Sequence, residues 1–104
     1  MIEHVVVAKA KPGRERDVDA ILADFTRDIG HLPGLIAMTV GPNFHQRSLE
    51  AGVTHGMLVR LADQAALNAY QVHPIHEALL PKLNETCIER LVLDWVAPDP
   101  THAN

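Results

Sequence analysis

The sequence is poor in cysteine and in long apolar runs, and each shortage excludes a class of protein. Cys87 is the only cysteine, so an internal disulfide is impossible and a reducing cytoplasm is expected. No apolar run approaches the roughly 20 residues of a membrane span. The N-terminus lacks the basic and apolar stretches of a signal peptide. We therefore expect a cytoplasmic protein without a membrane partner.

Basic residues are also too few for a nucleic-acid surface. The net charge is −4 and the chain has no basic block, so a nucleic-acid partner has no electrostatic support. What the sequence does have is histidine, with seven residues against one tyrosine and one tryptophan. The 104 residues suit a single domain with a real core. The histidines are where we look for chemistry.

Hydrophobic periodicity predicts four strands with helices between them. The strands are expected over residues 2–9, 35–40, 54–61 and 87–96. A helix with one apolar face is predicted over residues 14–30. A second helix should begin after Asp63, a good N-cap residue, and lead to Tyr70.

Three other segments are expected to be short or irregular. Residues 43–52 have the composition of a long polar loop. The helical piece that begins at Pro74 should be short, because Pro81 interrupts it. We assign residues 1–97 to one domain and residues 98–104 to a disordered tail.

The predicted order βαββαβ favours a ferredoxin-like α+β fold. In that arrangement we expect the first and third strands to lie parallel at the centre of the sheet, with the helices on one face. His4 and His55 begin these two strands and should therefore lie close together. The helices bring Tyr70 and His76 to the same side of the sheet. The sequence thus predicts one pocket on which these four side chains converge.

The segment from Tyr70 to His76 should form a corner between two helices. Pro74 disfavours the helical conformation at His73 and suits the first turn of the next helix. His76 shares helical spacing with Leu79, on the apolar side of that helix. Tyr70 and His76 should therefore both point at the core.

His76 at a helix N-terminus is a candidate general base. The helix dipole disfavours imidazolium there, so the neutral ring is expected at pH 7. Such a base can take a proton from a carbon next to a carbonyl, while Tyr70 and the helix amides hold the developing enolate oxygen. The alternative is that His76 only caps and packs, and that Tyr70 is a core residue bonded to His4 or His55.

The sheet face turned away from the helices is predicted to be apolar as well. The residues that carry this pattern are Val5, Val7, Leu58, Leu91 and Leu93. A single layer of helices cannot cover both faces of a sheet, and a second copy packed sheet to sheet is the simplest cover. We therefore expect a homodimer with its helices outside.

Several short motifs, taken in order, resemble those of the stress-responsive A/B barrel (Dabb) family. They are His4-Val5-Val6, Val40-Gly41-Pro42-Asn43, Thr54-His55-Gly56, Ala69-Tyr70, His73-Pro74-Ile75-His76 and Asp94-Trp95. The resemblance covers residues 2 to about 96 and implies a ferredoxin-like subunit that dimerises into an α+β barrel. Members of the family include stress-induced proteins and polyketide cyclases that close a ring by an aldol-type condensation.

The resemblance also implies roles for residues of this chain. In those cyclases the tyrosine and the second histidine of the Tyr…His-Pro-x-His stretch act together, with two further histidines nearby. By resemblance, Tyr70 and His76 are catalytic, and His4 and His55 bind a small substrate with a carbonyl group. The cyclase substrate itself is not carried over, because nothing in the sequence shows the long slot that an alkyl chain needs.

Three function classes stay open on the sequence alone. They are a cyclase-like or lyase-like enzyme, a non-enzymatic stress-protective or binding dimer, and a cofactor-free monooxygenase, which dimeric α+β barrels also host. A metal site is disfavoured because Pro74 keeps His73 and His76 from sharing a helical face. We expect neither a metal nor a cofactor, and we interpret Cys87 as a buried structural thiol.

Overall fold

A computed structural model describes residues 1–98 as four strands and four helices on one sheet. In chain order they are β1 Ile2–Ala10, α1 Glu15–Ile29, β2 Leu35–Pro42, α2 Gln46–Glu50, β3 His55–Leu61, α3 Gln64–Gln71, α4 Pro74–Thr86 and β4 Cys87–Val96. The four predicted strands and the ferredoxin-like α+β class are confirmed. No helix within residues 1–98 is long and apolar enough to cross a membrane.

The sheet has the order β2-β3-β1-β4, and every neighbouring pair is antiparallel. The prediction that β1 and β3 lie parallel is therefore wrong. The α1 crossover makes β1 and β2 parallel, and β3 returns between them, so it runs against both. In this register His4 of β1 pairs with Val59 of β3, whereas His55 of β3 pairs with Ala8 of β1. The two histidines consequently lie at opposite ends of the central strand pair.

The core lies between the helices and one face of the sheet. Alternate residues of β1 and β3 are buried there, as the period of two along a strand requires. Helix α1 covers them with the apolar stripe that the sequence predicted, which consists of Val18, Ile21, Leu22, Phe25 and Ile29. This confirms that the side of the sheet carrying His4 and His55 faces the helices.

Helix α4 is longer than predicted, because it continues through Pro81 to Thr86. Pro81 removes the hydrogen bond to the carbonyl of Glu77. Both residues are exposed, so water can satisfy that carbonyl. Leu79 and Leu83 are buried on either side of the proline and hold the helix against the core.

The polar segment 43–52 is not a loop throughout, because residues 46–50 form the short helix α2. Asn43 closes the segment: its side-chain amide donates to the carbonyl of Val53 at 2.8 Å, and its backbone N–H donates to Thr54 at 2.8 Å. These bonds tie the two ends of the segment together. The predicted disordered tail, residues 98–104, lies outside the described residues except for Pro98.

The sheet face away from the helices is apolar and uncovered in the protomer. On β4 of that face, Leu91 is 50%, Leu93 59% and Trp95 47% exposed. In the register Leu93 lies beside Val5, and Leu91 beside Val7, so the exposed side chains form a continuous strip. The predicted second apolar face is therefore confirmed.

Candidate active site

Three aromatic rings from distant parts of the chain meet on the inner side of the sheet. The ring of Tyr70 lies 5.6 Å from that of His4 and 4.8 Å from that of His76, both edge to face. Phe25 of α1 approaches His76 from the other side, at 5.7 Å between ring centroids. The predicted convergence of His4, Tyr70 and His76 is thus confirmed.

The corner between α3 and α4 sets the positions of Tyr70 and His76. Asp63 caps α3, as predicted, by accepting the N–H of Ala66 at 2.9 Å. At the other end, His73 is the N-cap of α4 and its Nδ1 accepts the N–H of Ile75 at 3.1 Å. Tyr70 is therefore in the last turn of one helix and His76 in the first turn of the next, and both rings face inward.

A cavity of about 110 Å³ opens beside these rings. Its polar lining consists of His4, Gln71, His76 and Arg90, and the remaining lining is apolar. An engineered cavity of about 150 Å³ holds benzene, so this one suits a ligand of a few non-hydrogen atoms. Tyr70 is fully buried and lies behind the two histidines rather than in the cavity wall.

His76 has the electrostatic setting of a neutral base. Burial lowers its pKa below the ordinary value of 6.5, and the nearby His4 and Arg90 lower it further. The backbone carbonyl of Gln71 and the carboxylate of Glu77 oppose this shift to a smaller extent. The Nδ1 atom is buried and has no hydrogen-bond partner among residues 1–98. The ring can therefore accept a proton at neutral pH.

The hydroxyl of Tyr70, like Nδ1 of His76, is buried and has no hydrogen-bond partner among residues 1–98. Burial raises the pKa of Tyr70 far above its usual value of 10, so the phenol keeps its proton. Buried polar groups are ordinarily hydrogen-bonded, so this hydroxyl remains available as a hydrogen-bond donor.

His4 is held by an acid that the sequence analysis missed. Its Nδ1 lies 2.5 Å from Oδ1 of Asp94, which stands directly opposite His4 in the β1–β4 register. A carboxylate at Nδ1 fixes the orientation and the tautomer of the ring. Arg90 was missed as well. The sequence pattern that could have identified both residues is the alternation along β4, which puts Arg90, Val92 and Asp94 on the side of the sheet that faces the helices.

His55 lies apart from this group, contrary to the predicted pocket of four residues. Its Nε2 is 2.6 Å from Oδ1 of Asp19 on α1, and its Nδ1 is 2.8 Å from Oγ1 of Thr54. The physical reason is the antiparallel pairing, which sends the start of β3 to the far end of β1. The ring borders a separate groove beside Val40 and Pro42.

The remaining candidates have structural settings. Cys87 is buried, and burial raises the pKa of its thiol, so the thiolate is disfavoured. His31 and His45 are exposed loop residues, whereas His102 lies outside the described residues. Within residues 1–98, no three histidine, cysteine, aspartate or glutamate side chains are grouped as a metal would require.

The chain is similar to one protein family and to several solved structures. Residues 2–97 match the model of the stress responsive A/B barrel domain family. No curated protein matches the sequence. Among solved structures, a dimeric ferredoxin-like protein of unknown function from Jannaschia sp. CCS1 is 28% identical, with a TM-score of 0.81 over 92% of this chain and 98% of that one.

Two further solved structures share the fold at lower identity. A Dabb family protein from Mesorhizobium loti is 22% identical, with a TM-score of 0.76 over 94% of this chain and 97% of that one. Hydroxynitrile lyase from Passiflora edulis is 17% identical, with a TM-score of 0.78 over 94% of each chain. The match over residues 2–97 shows that the chain belongs to the stress-responsive A/B barrel (Dabb) family.

Proposed function

We propose that this protein binds a small carbonyl compound beside His76 and catalyses proton transfer on it, as a lyase-like or cyclase-like enzyme. The observation that carries the proposal is the Nδ1 atom of His76, which is buried, unpartnered among the described residues and on a ring kept neutral. A neutral imidazole with a free lone pair is the group that general-base catalysis needs.

The proposed step is the removal of a proton from the carbon next to the carbonyl. Nδ1 of His76 takes the proton and becomes imidazolium, while the electron pair of the C–H bond moves into a C=C bond and the carbonyl becomes an enolate. Tyr70 lies just behind the cavity wall, with its ring 4.8 Å from that of His76. Its hydroxyl is protonated and has no partner among residues 1–98, so it is the proposed donor to the enolate oxygen once the substrate displaces the side chains between them. The imidazolium then returns the proton to the product.

In this proposal His4 forms part of the cavity wall, where it contacts and positions the substrate. It lines the cavity with one face of its ring, while Asp94 holds its Nδ1. His55 was assigned to substrate binding by resemblance, but its setting with Asp19 places it outside this cavity. We therefore exclude His55 from the proposed substrate contacts at this site.

We also propose that the working form is a homodimer packed sheet to sheet. The exposed strip of Leu91, Leu93 and Trp95 supports this assembly, because water-exposed apolar strips of this kind mark interfaces. The structurally similar protein from Jannaschia sp. is described as dimeric. We place the protein in the cytoplasm, where a lone thiol such as Cys87 stays reduced.

A non-enzymatic binding or stress-protective dimer is the second candidate. Two observations favour it: the cavity is small, and Tyr70 does not line it. In that case the three rings are a packed core, and substitutions there change the stability of the dimer rather than a reaction.

Exchange of carbon-bound hydrogen for deuterium separates the two candidates. Wild type, His76→Gln and Tyr70→Phe are incubated with small β-keto compounds in heavy water, and deuterium incorporation is followed by NMR. Enzymatic proton transfer predicts exchange above the buffer rate in wild type, with a loss of about 10²–10⁴-fold in His76→Gln. Equal exchange in wild type and in a normally folded His76→Gln protein would exclude the mechanism.

A further inference from the structure

We infer that Arg90 anchors an anionic group of the substrate, so that the cavity takes small carbonyl compounds that carry a carboxylate. The inference deepens the proposed function and rests on it, since it concerns the same cavity. Nothing in the resemblance or in the comparisons assigns a role to Arg90.

Arg90 stands at the wall of the cavity that contains the base. It lies on β4 opposite Ala8, on the helix-facing side, and it lines the cavity together with His4 and His76. Its charge is close enough to His76 to contribute, after burial and His4, to lowering the pKa of that ring. Arg90 and the base therefore border the same cavity.

Hydrogen bonds to Asn84 orient the guanidinium of Arg90, but no carboxylate of residues 1–98 neutralises its charge. Its Nε and Nη2 donate to Oδ1 of Asn84, at 3.0 and 2.7 Å. Asn84 carries no charge, so the orientation leaves the positive charge and the remaining N–H groups free. No carboxylate of residues 1–98 lies within ion-pair distance of Arg90.

The other cations of the sheet are arranged differently. Lys9 pairs with Glu89 at 3.2 Å, and Arg60 pairs with Glu3 at 3.0 Å. Arg90 is half-buried, yet within the described residues it faces only an amide. A partly buried cation without an acid beside it is free to bind an anion, and the planar guanidinium binds a carboxylate through two parallel hydrogen bonds.

The rest of the cavity favours the same ligand class. Its other polar side chains are His4, Gln71 and His76, and no carboxylate of residues 1–98 lines it. Asp94 is nearby but is engaged by His4 at 2.5 Å. An enolate that forms next to His76 adds negative charge, which Arg90 also stabilises. The arrangement therefore suits a carboxylate-bearing substrate more than a neutral one.

The test uses a matched pair of probes, acetoacetate and acetoacetamide. They have the same number of non-hydrogen atoms and the same acidic methylene group, and they differ in charge. Binding to the 104-residue chain is followed by NMR shifts of the ring signals of His76. The variants are Arg90→Gln, Arg90→Lys and the control Arg16→Gln, which removes a charge from an exposed position of α1.

Wild type and Arg16→Gln are expected to bind acetoacetate about tenfold or more tightly than acetoacetamide, as a charge-assisted pair implies. Arg90→Gln should bring the ratio close to one, and Arg90→Lys should keep part of the preference. A preference that survives Arg90→Gln, an equal loss in Arg16→Gln, or no response to either probe at millimolar concentration would overturn the inference.

Deuterium exchange on the same samples distinguishes this inference from the proposed function. If binding shows the Arg90-dependent preference but neither probe exchanges faster with wild type than with His76→Gln, the anion site stands and the proton-transfer proposal fails. If exchange depends on His76 while Arg90→Gln leaves both binding constants unchanged, the proton-transfer proposal stands and the anion anchor fails.

Discussion

His55 on β3 and His76 on α4 differ in how their ring nitrogens are bonded, and this difference separates a structural ring from the ring that we propose to be reactive. His55 is 2% exposed and engages both ring nitrogens, with Asp19 and with Thr54. His76 is only half-buried, but its Nδ1 has no partner among the described residues. Burial alone therefore does not indicate a site. An unpartnered ring nitrogen on a residue that lines a cavity is a better indication.

The largest expected effect is that substitutions of the two histidines have opposite consequences. One variant should lose activity and the other should lose stability. His76→Gln should reduce proton exchange by about 10²–10⁴-fold and leave folding intact. His55→Gln should leave exchange near the wild-type rate and lower the free energy of unfolding by about 1–2 kcal/mol, because it weakens the bond to Asp19. Exchange rates and urea melts of both variants measure this. A rate loss in His55→Gln without a change in stability would contradict the distinction.

The next effect concerns the uncovered sheet face, which contrasts with the packed inner face. Leu93→Lys puts a charge into the apolar strip and should convert the dimer to monomer at micromolar concentration. Phe44→Lys is the control, because Phe44 is 93% exposed and lies outside the sheet. Light scattering reports the mass of each variant. A wild-type chain that is monomeric, or a dimer unaffected by Leu93→Lys, would refute the interface.

Much of the fold follows from the sequence because it depends on local periodicity. The strand ranges, the stripe of α1 and the corner at His73 and Pro74 are all set by neighbouring residues. Strand direction is not local. The direction of β3 follows from the α1 crossover, which makes β1 and β2 parallel and leaves β3 to return between them. The prediction had β3 in the wrong direction and therefore put His55 beside His4, whereas in the structure His55 lies beside Asp19.

The site was predictable only in part for the same reason. Tyr70 and His76 lie six positions apart on either side of one turn, so their meeting is a local property. The contacts of His4 with Asp94 and of Arg90 with the cavity depend on the pairing of β1 with β4, the two ends of the domain. The length of α4 was also missed, because the exposure of Pro81 is a tertiary property.

A smaller effect is expected at Tyr70, where activity and stability should separate. Tyr70→Phe removes a buried hydroxyl that has no partner in the described residues, so the melting temperature should stay the same or rise. Proton exchange should fall by about 10²-fold, since the donor to the enolate is lost. A lower melting temperature would show that the hydroxyl is bonded in the folded protein.

The smallest effect is a pH dependence of stability from His76. Because its pKa is lowered on folding, the unfolded chain binds more protons than the folded one below pH 6.5. Stability should therefore fall as the pH drops below that value, with His4, Arg90 and Glu77 as the charged or titratable neighbours that set the shift. Urea melts of His76→Gln between pH 5 and 7 should show a flatter dependence than those of wild type.

The most direct test of the central claim is an NMR titration of the His76 ring in the wild-type protein, without and with acetoacetate. The account predicts a pKa below 6.5, a neutral ring at pH 7 and a shift of the ring signals when the probe binds. A pKa at or above 6.5, with ring signals that do not respond to the probe, would contradict it.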